Sequence, residues 1–273
     1  MRIDSHQHFW IYNAQRDGWI TDAMRAIQRN FIPEDLAPLL AQHKFQGCVA
    51  VQADQSMDET DFLIQLAERN AIIRGVVGWV DLCAPGLPEK LQHYKHKPIV
   101  KGFRHVLQAE PEAFFRNNAF IDGVKTLAAY NFTYDILIKA HQLNATIELI
   151  NHLPDQKLVI DHLAKPAIGK DRTEWTHFIK TVAQNPHIYC KLSGLVTEAD
   201  WHHWTPAGFT PYLETVINEF GTNRVMFGSD WPVCLLAASY QQQLQVLEDF
   251  IQPFSETEKQ NIMGANAIRF YNL

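Results

Sequence analysis

The chain has 273 residues, of which 47% are hydrophobic and 20% charged, the make-up of an ordinary globular protein. A formal net charge of −6 and a pI near 6.1 exclude a basic face for nucleic acid. No run approaches the roughly 18 apolar residues of a membrane span, and the opening Met1-Arg2-Ile3-Asp4-Ser5-His6 has none of the regions of a secretory signal, so a cytoplasmic protein handling a small molecule is expected, with homo-oligomerisation left open.

Short apolar runs alternate with longer amphipathic stretches from one end to the other. That order predicts βα units around a parallel sheet. Strands are expected at 2–6, 46–52, 73–80 and 99–104 in the first half, and at 132–138, 157–161, 187–192 and 224–228 in the second. Helices are expected from Pro33 to His43, Asp58 to Arg69, Ala140 to His152, Glu174 to Gln184 and Pro211 to Phe220, with Pro33 and Pro211 in first turns, where the missing N–H costs least. After them, Ser255 and Glu258 have the spacing of a capping box and lead into two helical pieces ending at Phe270. Eight alternations without a Gly/Ser linker predict one closed α/β barrel, a (β/α)8 TIM barrel, as a single domain over residues 1–273. The four cysteines are scattered, Cys48 and Cys190 within strand-like runs, which suits reduced core thiols. The stretch from Phe9 to Phe31, with Trp10, Tyr12 and Trp19, is long for a βα loop and is either rim packing or a lid.

In a parallel barrel the active site forms at the carboxyl ends of the strands, so polar residues there carry the most weight. The first strand ends in His6-Gln7-His8, the second in Gln52-Ala53-Asp54, the fourth in Arg104-His105, the sixth in Asp161-His162, the seventh in Lys191-Leu192-Ser193 and the eighth in Ser229-Asp230. His6 and His8, two apart on an extended segment, project from one face and can reach one point. Asp230 stands at the end of the last strand, the neighbour of the first on closure. Two imidazoles and a carboxylate suit one zinc-like cation through His6, His8 and Asp230, or alternatively orient a water without any metal. Structural roles compete with these: Asp230, Asp161 and Asp54 as helix caps, Lys191 as an internal ion-pair partner, Arg104 as a loop holder. No phosphate loop, serine elbow or cysteine cluster is present.

His6-Gln7-His8-Phe9-Trp10, Gly228-Ser229-Asp230-Trp231-Pro232 and Gly264-Ala265-Asn266-Ala267 resemble the amidohydrolase superfamily. Supporting runs are Val76-Val77-Gly78-Trp79-Val80-Asp81-Leu82, Gly102-Phe103-Arg104-His105-Val106, Asp161-His162-Leu163-Ala164-Lys165-Pro166 and Lys191-Leu192-Ser193-Gly194, so the likeness spans essentially the whole chain. Within the superfamily it is similar to the lactone-hydrolase branch, the sugar lactonases and 2-pyrone-4,6-dicarboxylate lactonases, and most to hydrolases of L-fuconolactone and L-rhamnonolactone. That resemblance implies a hydrolase of a small lactone in carbohydrate metabolism, with His6, His8, His162 and Asp230 at the family's site positions. The chain departs from a two-metal pattern, because strand four ends in Arg104 and strand five supplies no histidine.

On this reading Asp230 is the general base for water, and His162, His6 and His8 polarise the carbonyl directly or through a cation. Arg104, His105, Gln52, Lys165 and Trp231 are the expected substrate contacts. Two other readings use the same scaffold: a metal-dependent decarboxylase, and a barrel that only binds a ligand.

Overall fold

A computed structural model describes all residues 1–273. Eight strands form one parallel sheet in sequence order: β1 (Ile3–Gln7), β2 (Gly47–Val51), β3 (Ile73–Gly78), β4 (Val100–His105), β5 (Thr133–Ile136), β6 (Leu158–Ile160), β7 (Ile188–Leu192) and β8 (Val225–Phe227). Closure is made beyond β8, where Asp230 N donates to His6 O at 2.8 Å and His8 N donates to Trp231 O at 2.7 Å. The expected (β/α)8 barrel is therefore the observed fold, and the backbone bonds that close it fix Asp230 beside His6 and His8.

Ten α-helices follow the strands: α1 (Pro33–Gln42), α2 (Met57–Arg69), α3 (Leu87–Lys95), α4 (Asn118–Ala129), α5 (Leu143–Asn151), α6 (Thr173–Ala183), α7 (Pro206–Phe220), α8 (Tyr240–Phe250), α9 (Glu256–Gln260) and α10 (Asn266–Tyr271). Helix α7 corrects the sequence reading. It starts at Pro206, so Pro211 lies inside it, and the buried face of Tyr212, Leu213 and Val216 extends back to Phe209. Helix α2 is capped by Ser56, whose Oγ accepts from Glu59 N at 3.1 Å, and not by Asp54. The capping box of Ser255 and Glu258 is formed at α9.

Strands covered on both faces need apolar residues on both. Val49 and Val51 of β2 therefore face one way and Cys48 and Ala50 the other. The first pair joins Val77, Val159 and Met226 in a cluster sealed by Ala267, Phe270 and Tyr271 of α10. The second pair belongs to the larger core between sheet and helices. All four cysteines are free, and Cys48, Cys190 and Cys234 are buried. In the long first loop Trp10 and Phe31 are buried and bridge each other in antiparallel fashion, so this part packs on the rim, while Trp19 stays 42% exposed at the mouth.

Candidate active site

The barrel interior carries charge just above its apolar floor. Lys191 Nζ lies 2.6 Å from Asp135 Oδ2 and 2.9 Å from Asp161 Oδ1, and Arg104 Nη1 lies 3.0 Å from Asp161 Oδ2. Tyr271 of α10 donates its hydroxyl to Asp135 Oδ2 at 2.7 Å. Isolated charges here would be prohibitive, and pairing is what makes the burial tolerable. Burial pushes the Asp161 carboxyl up, but Lys191, His6 and Arg104 outweigh it and hold the group well below the usual range. The competing structural role of Lys191 is thus the observed one: its ammonium is an internal ion-pair partner. Two cations balance Asp135 and Asp161, which leaves Asp230 as the uncompensated carboxylate of the upper layer.

Above this layer four side chains converge. His6 Nε2 is 3.2 Å from His8 Nε2, and Asp230 Oδ1 is 3.4 Å from His8 Nε2, 3.8 Å from His6 Nε2 and 3.9 Å from His162 Nε2. His8 Nδ1 meets Val51 O at 2.8 Å. A carbonyl only accepts, so His8 carries a proton at Nδ1 and turns Nε2 toward Asp230. His6 Nδ1 faces a donor, Lys191 Nζ at 3.0 Å, and an acceptor, Asp161 Oδ1 at 3.3 Å, so either neutral tautomer is satisfied. His162 Nδ1 pairs with Ser193 Oγ at 2.8 Å. Burial holds His162 down at about 4, and burial with Lys191 holds His6 well below its ordinary value, so both rings are neutral near pH 7. For Asp230, burial raises the carboxyl, but His162, His8 and His6 prevail and hold it well below the usual carboxylate range.

Imidazole nitrogens and a carboxylate oxygen gathered in this way are a donor set that could hold a cation. Zinc–nitrogen bonds of about 2.1 Å in a tetrahedron put ligand atoms about 3.4 Å apart, and the three distances among His6, His8 and Asp230 are 3.2, 3.4 and 3.8 Å. His6, His8 and Asp230 form one such trio, and His6, Asp161 and His162 a second. The second has Arg104 and Lys191 on its carboxylate, so its negative charge is already engaged.

Local backbone explains how His162 arrives there. Residues 162 to 165 all take positive φ, at 52°, 52°, 59° and 48°, a left-handed turn made without glycine. Each such residue costs roughly 1–2 kcal/mol, so the surroundings must hold the turn. Gly194 makes room for it: a Cβ there would stand 2.7 Å from His162 Nδ1.

A cavity of about 440 Å³ opens over these groups and is lined by His8, Arg104, His162 and Asp230 at its base. Trp19, Asp54, Gln55, Gln108, Lys139 and Lys165 line its walls. Of the expected substrate contacts, Arg104 and Lys165 are in the lining, with Lys165 Nζ held by Glu198 at 3.1 Å. His105, Gln52 and Trp231 are not. His105 alternates with the inward Arg104 and so points outward, where its Nε2 meets Glu110 at 2.9 Å and its ring stacks on Phe114. Trp231 follows the inward Asp230 and is buried against Phe9 and Phe31. Gln52 is wholly buried and supports Arg104, accepting from its Nη2 and donating to its carbonyl at 3.1 Å.

Sequence reasoning named Trp19 only as part of the long first loop and passed over Gln55, Gln108 and Lys139. Gln55 lies one residue past the polar end of the second strand, and Lys139 follows directly on the apolar fifth run, so position after a strand was the available signal. Gln55 Oε1 accepts from Val106 N at 2.7 Å, and Gln108 Oε1 is buried without a partner.

Comparison with known proteins agrees with this geometry. An amidohydrolase family model matches residues 3–273. An L-fucono-1,5-lactonase of Burkholderia multivorans is 40% identical over 286 residues, covering 100% of this chain and 96% of the relative. An L-fucono-1,5-lactonase of Burkholderia ambifaria is 34% identical over 282 residues, with the same coverage. A crystal structure of an amidohydrolase from Burkholderia multivorans with bound zinc superposes with a TM-score of 0.96 at 40% identity, over 100% of this chain and 99% of that one. With its barrel, its converging histidines and late aspartate, and a match across its whole length, the chain belongs to the amidohydrolase family.

Proposed function

We propose that this enzyme hydrolyses the ring ester of a sugar aldonolactone, a neutral lactone of the fucose or rhamnose type. The observation that carries the reading is Asp230, an ionised carboxylate facing three imidazoles at the base of a cavity of about 440 Å³. The lactonase relatives, 40% and 34% identical over the full chain, supply the substrate class.

Ring opening needs a nucleophilic water, charge stabilisation at the carbonyl oxygen and a proton for the departing ring oxygen. Asp230 takes the proton from water as its oxygen attacks the carbonyl carbon, then returns it to the ring oxygen when the C–O bond breaks. His162 stabilises the negative oxygen of the tetrahedral intermediate, and Arg104 and Lys165, each already paired with one carboxylate, add hydrogen-bond donors and not free charge. His6, His8 and Asp230, with His162 beside them, are the residues that would hold one divalent ion such as zinc. When bound, that ion supplies Lewis-acid polarisation of the carbonyl.

The walls favour a polyol over a dianion. Arg104 is committed to Asp161, Lys165 to Glu198, and Asp54 adds a negative charge, so no forked pair of guanidinium groups is available for two carboxylates. The arginines of the first loop do not alter this, since Arg16 pairs with Asp17, Arg29 covers Phe31, and neither they nor Arg25 line the cavity. Gln55, Gln108 and Lys139 offer hydrogen bonds suited to hydroxyl groups. Acid release from purified enzyme and a panel of aldonolactones, followed with a pH indicator, tests the reading. No turnover of any sugar lactone would overturn it.

A further inference from the structure

The left-handed turn at 162–165 carries two cavity residues, His162 and Lys165, on a backbone that L-residues disfavour. Internally it has one bond, Lys165 N to His162 O at 2.7 Å. Ser193 and Glu198 hold the side chains of His162 and Lys165, and the loop backbone is held from the two helices behind. Trp175 of α6, buried, donates its indole Nε1–H to Leu163 O at 2.6 Å. Tyr212 of α7, also buried, accepts at its hydroxyl from Gly169 N at 3.1 Å and donates to Ala167 O at 3.3 Å. The two rings pack edge to face, with centroids 5.2 Å apart.

We infer that Trp175 and Tyr212 are positioning residues, an aromatic clamp that keeps the loop in its left-handed turn and so presents His162 and Lys165 to the substrate. Neither residue reaches the cavity. Trp175 acts through one backbone group, Leu163 O, which adjoins His162, and Tyr212 through two, Ala167 O and Gly169 N, of which the first lies two residues beyond Lys165. Trp175 therefore governs the chemical step through His162, and Tyr212 governs binding through Lys165. The kinetic part of this inference rests on the lactonase reading; the conformational part does not.

The test uses Trp175→Phe and Tyr212→Phe, which keep a ring and delete the polar atom. Hydrogen exchange followed by mass spectrometry should show amides of 162–169 exchanging about tenfold faster in either variant while those of β1 and β8 are unchanged. With a lactone substrate, Trp175→Phe should lower kcat about tenfold with KM within threefold, and Tyr212→Phe should chiefly raise KM. In a His162→Asn background, Trp175→Phe should change kcat less than twofold, since an effect exerted through His162 vanishes with it. Unchanged exchange in both variants, or a Trp175→Phe effect that persists in full without His162, overturns the clamp. An enzyme without lactonase activity but with faster exchange overturns only the function reading. If Trp175→Phe does not fold, Tyr212→Phe decides on the same exchange and KM criteria.

Discussion

His8 gives its Nδ1–H to Val51 O at 2.8 Å and so turns Nε2 toward Asp230 Oδ1, 3.4 Å away. Two such atoms pointing at each other inside a protein repel unless a proton or a cation lies between them. The site is built to hold positive charge, and the barrel enforces this, because the β1–β2 neighbourhood sets the tautomer and the closure at His6 and Trp231 sets the position of Asp230.

Asp230→Asn keeps the shape of the side chain but cannot take a proton from water. Hydrolysis should fall by a factor of about 10²–10⁴, the usual worth of a general base, with the melting temperature changed little. Initial rates and a thermal melt on the same preparation check this; most of the turnover surviving would remove Asp230 from the role of base.

At most one divalent ion per chain is expected. The second trio shares His6 with the first, and its carboxylate, Asp161, is paired to Arg104 and Lys191. Elemental analysis of enzyme prepared without chelator should give a stoichiometry no greater than one. Two tightly held ions would mean that the cations under His6 can be displaced.

Lys191→Met should be among the most damaging substitutions away from the cavity. It leaves Asp135 and Asp161, both fully buried, with less compensation, a loss of about 3–5 kcal/mol. For a chain of this size that corresponds to a fall in melting temperature of roughly 5–9 °C. A shift below 2 °C would show that the network contributes little to folding.

Glu59 gives the pH dependence. Burial raises its carboxyl to about 7 from 4.5, against the opposing bond from Ala53 N and the charge of Arg16. A raised acid contributes stability that is full below the unfolded value and is lost as pH rises through the folded one. Glu59→Gln should therefore match the wild type near pH 4 and become more stable than it by up to about 3 kcal/mol above pH 8. Denaturant melts across pH 4–9 check the sign, and a variant that loses ground as pH rises contradicts it.

Strand positions were legible in the chain because each apolar run was short, bounded and repeated, and all eight expected strands overlap observed ones. His6, His8 and Asp230 were legible for the same reason: period two on a strand and adjacency on closure are rules of backbone geometry. Side-chain facing was less so. His105 and Trp231 stand one residue from inward groups, and a one-residue step reverses the face of a strand. The wall residue Gln108 lies in a 3-10 turn of three residues, Leu107–Ala109, and Lys139 between β5 and the next turn, segments too short for a periodicity to be read. Nor could sequence foresee four successive left-handed residues without glycine at 162–165, where the bonds of Trp175 to Leu163 O and of Ser193 to His162 come from segments distant in the chain.

The central claim is tested most directly by kcat/KM for neutral aldonolactones of the fucose and rhamnose type measured beside 2-pyrone-4,6-dicarboxylate, with Asp230→Asn as control. The cavity, with its committed Arg104 and Lys165 and its acidic Asp54, predicts higher efficiency on a neutral sugar lactone and loss of that activity in the control. Turnover of the pyrone dicarboxylate more efficient than that of every sugar lactone would contradict it.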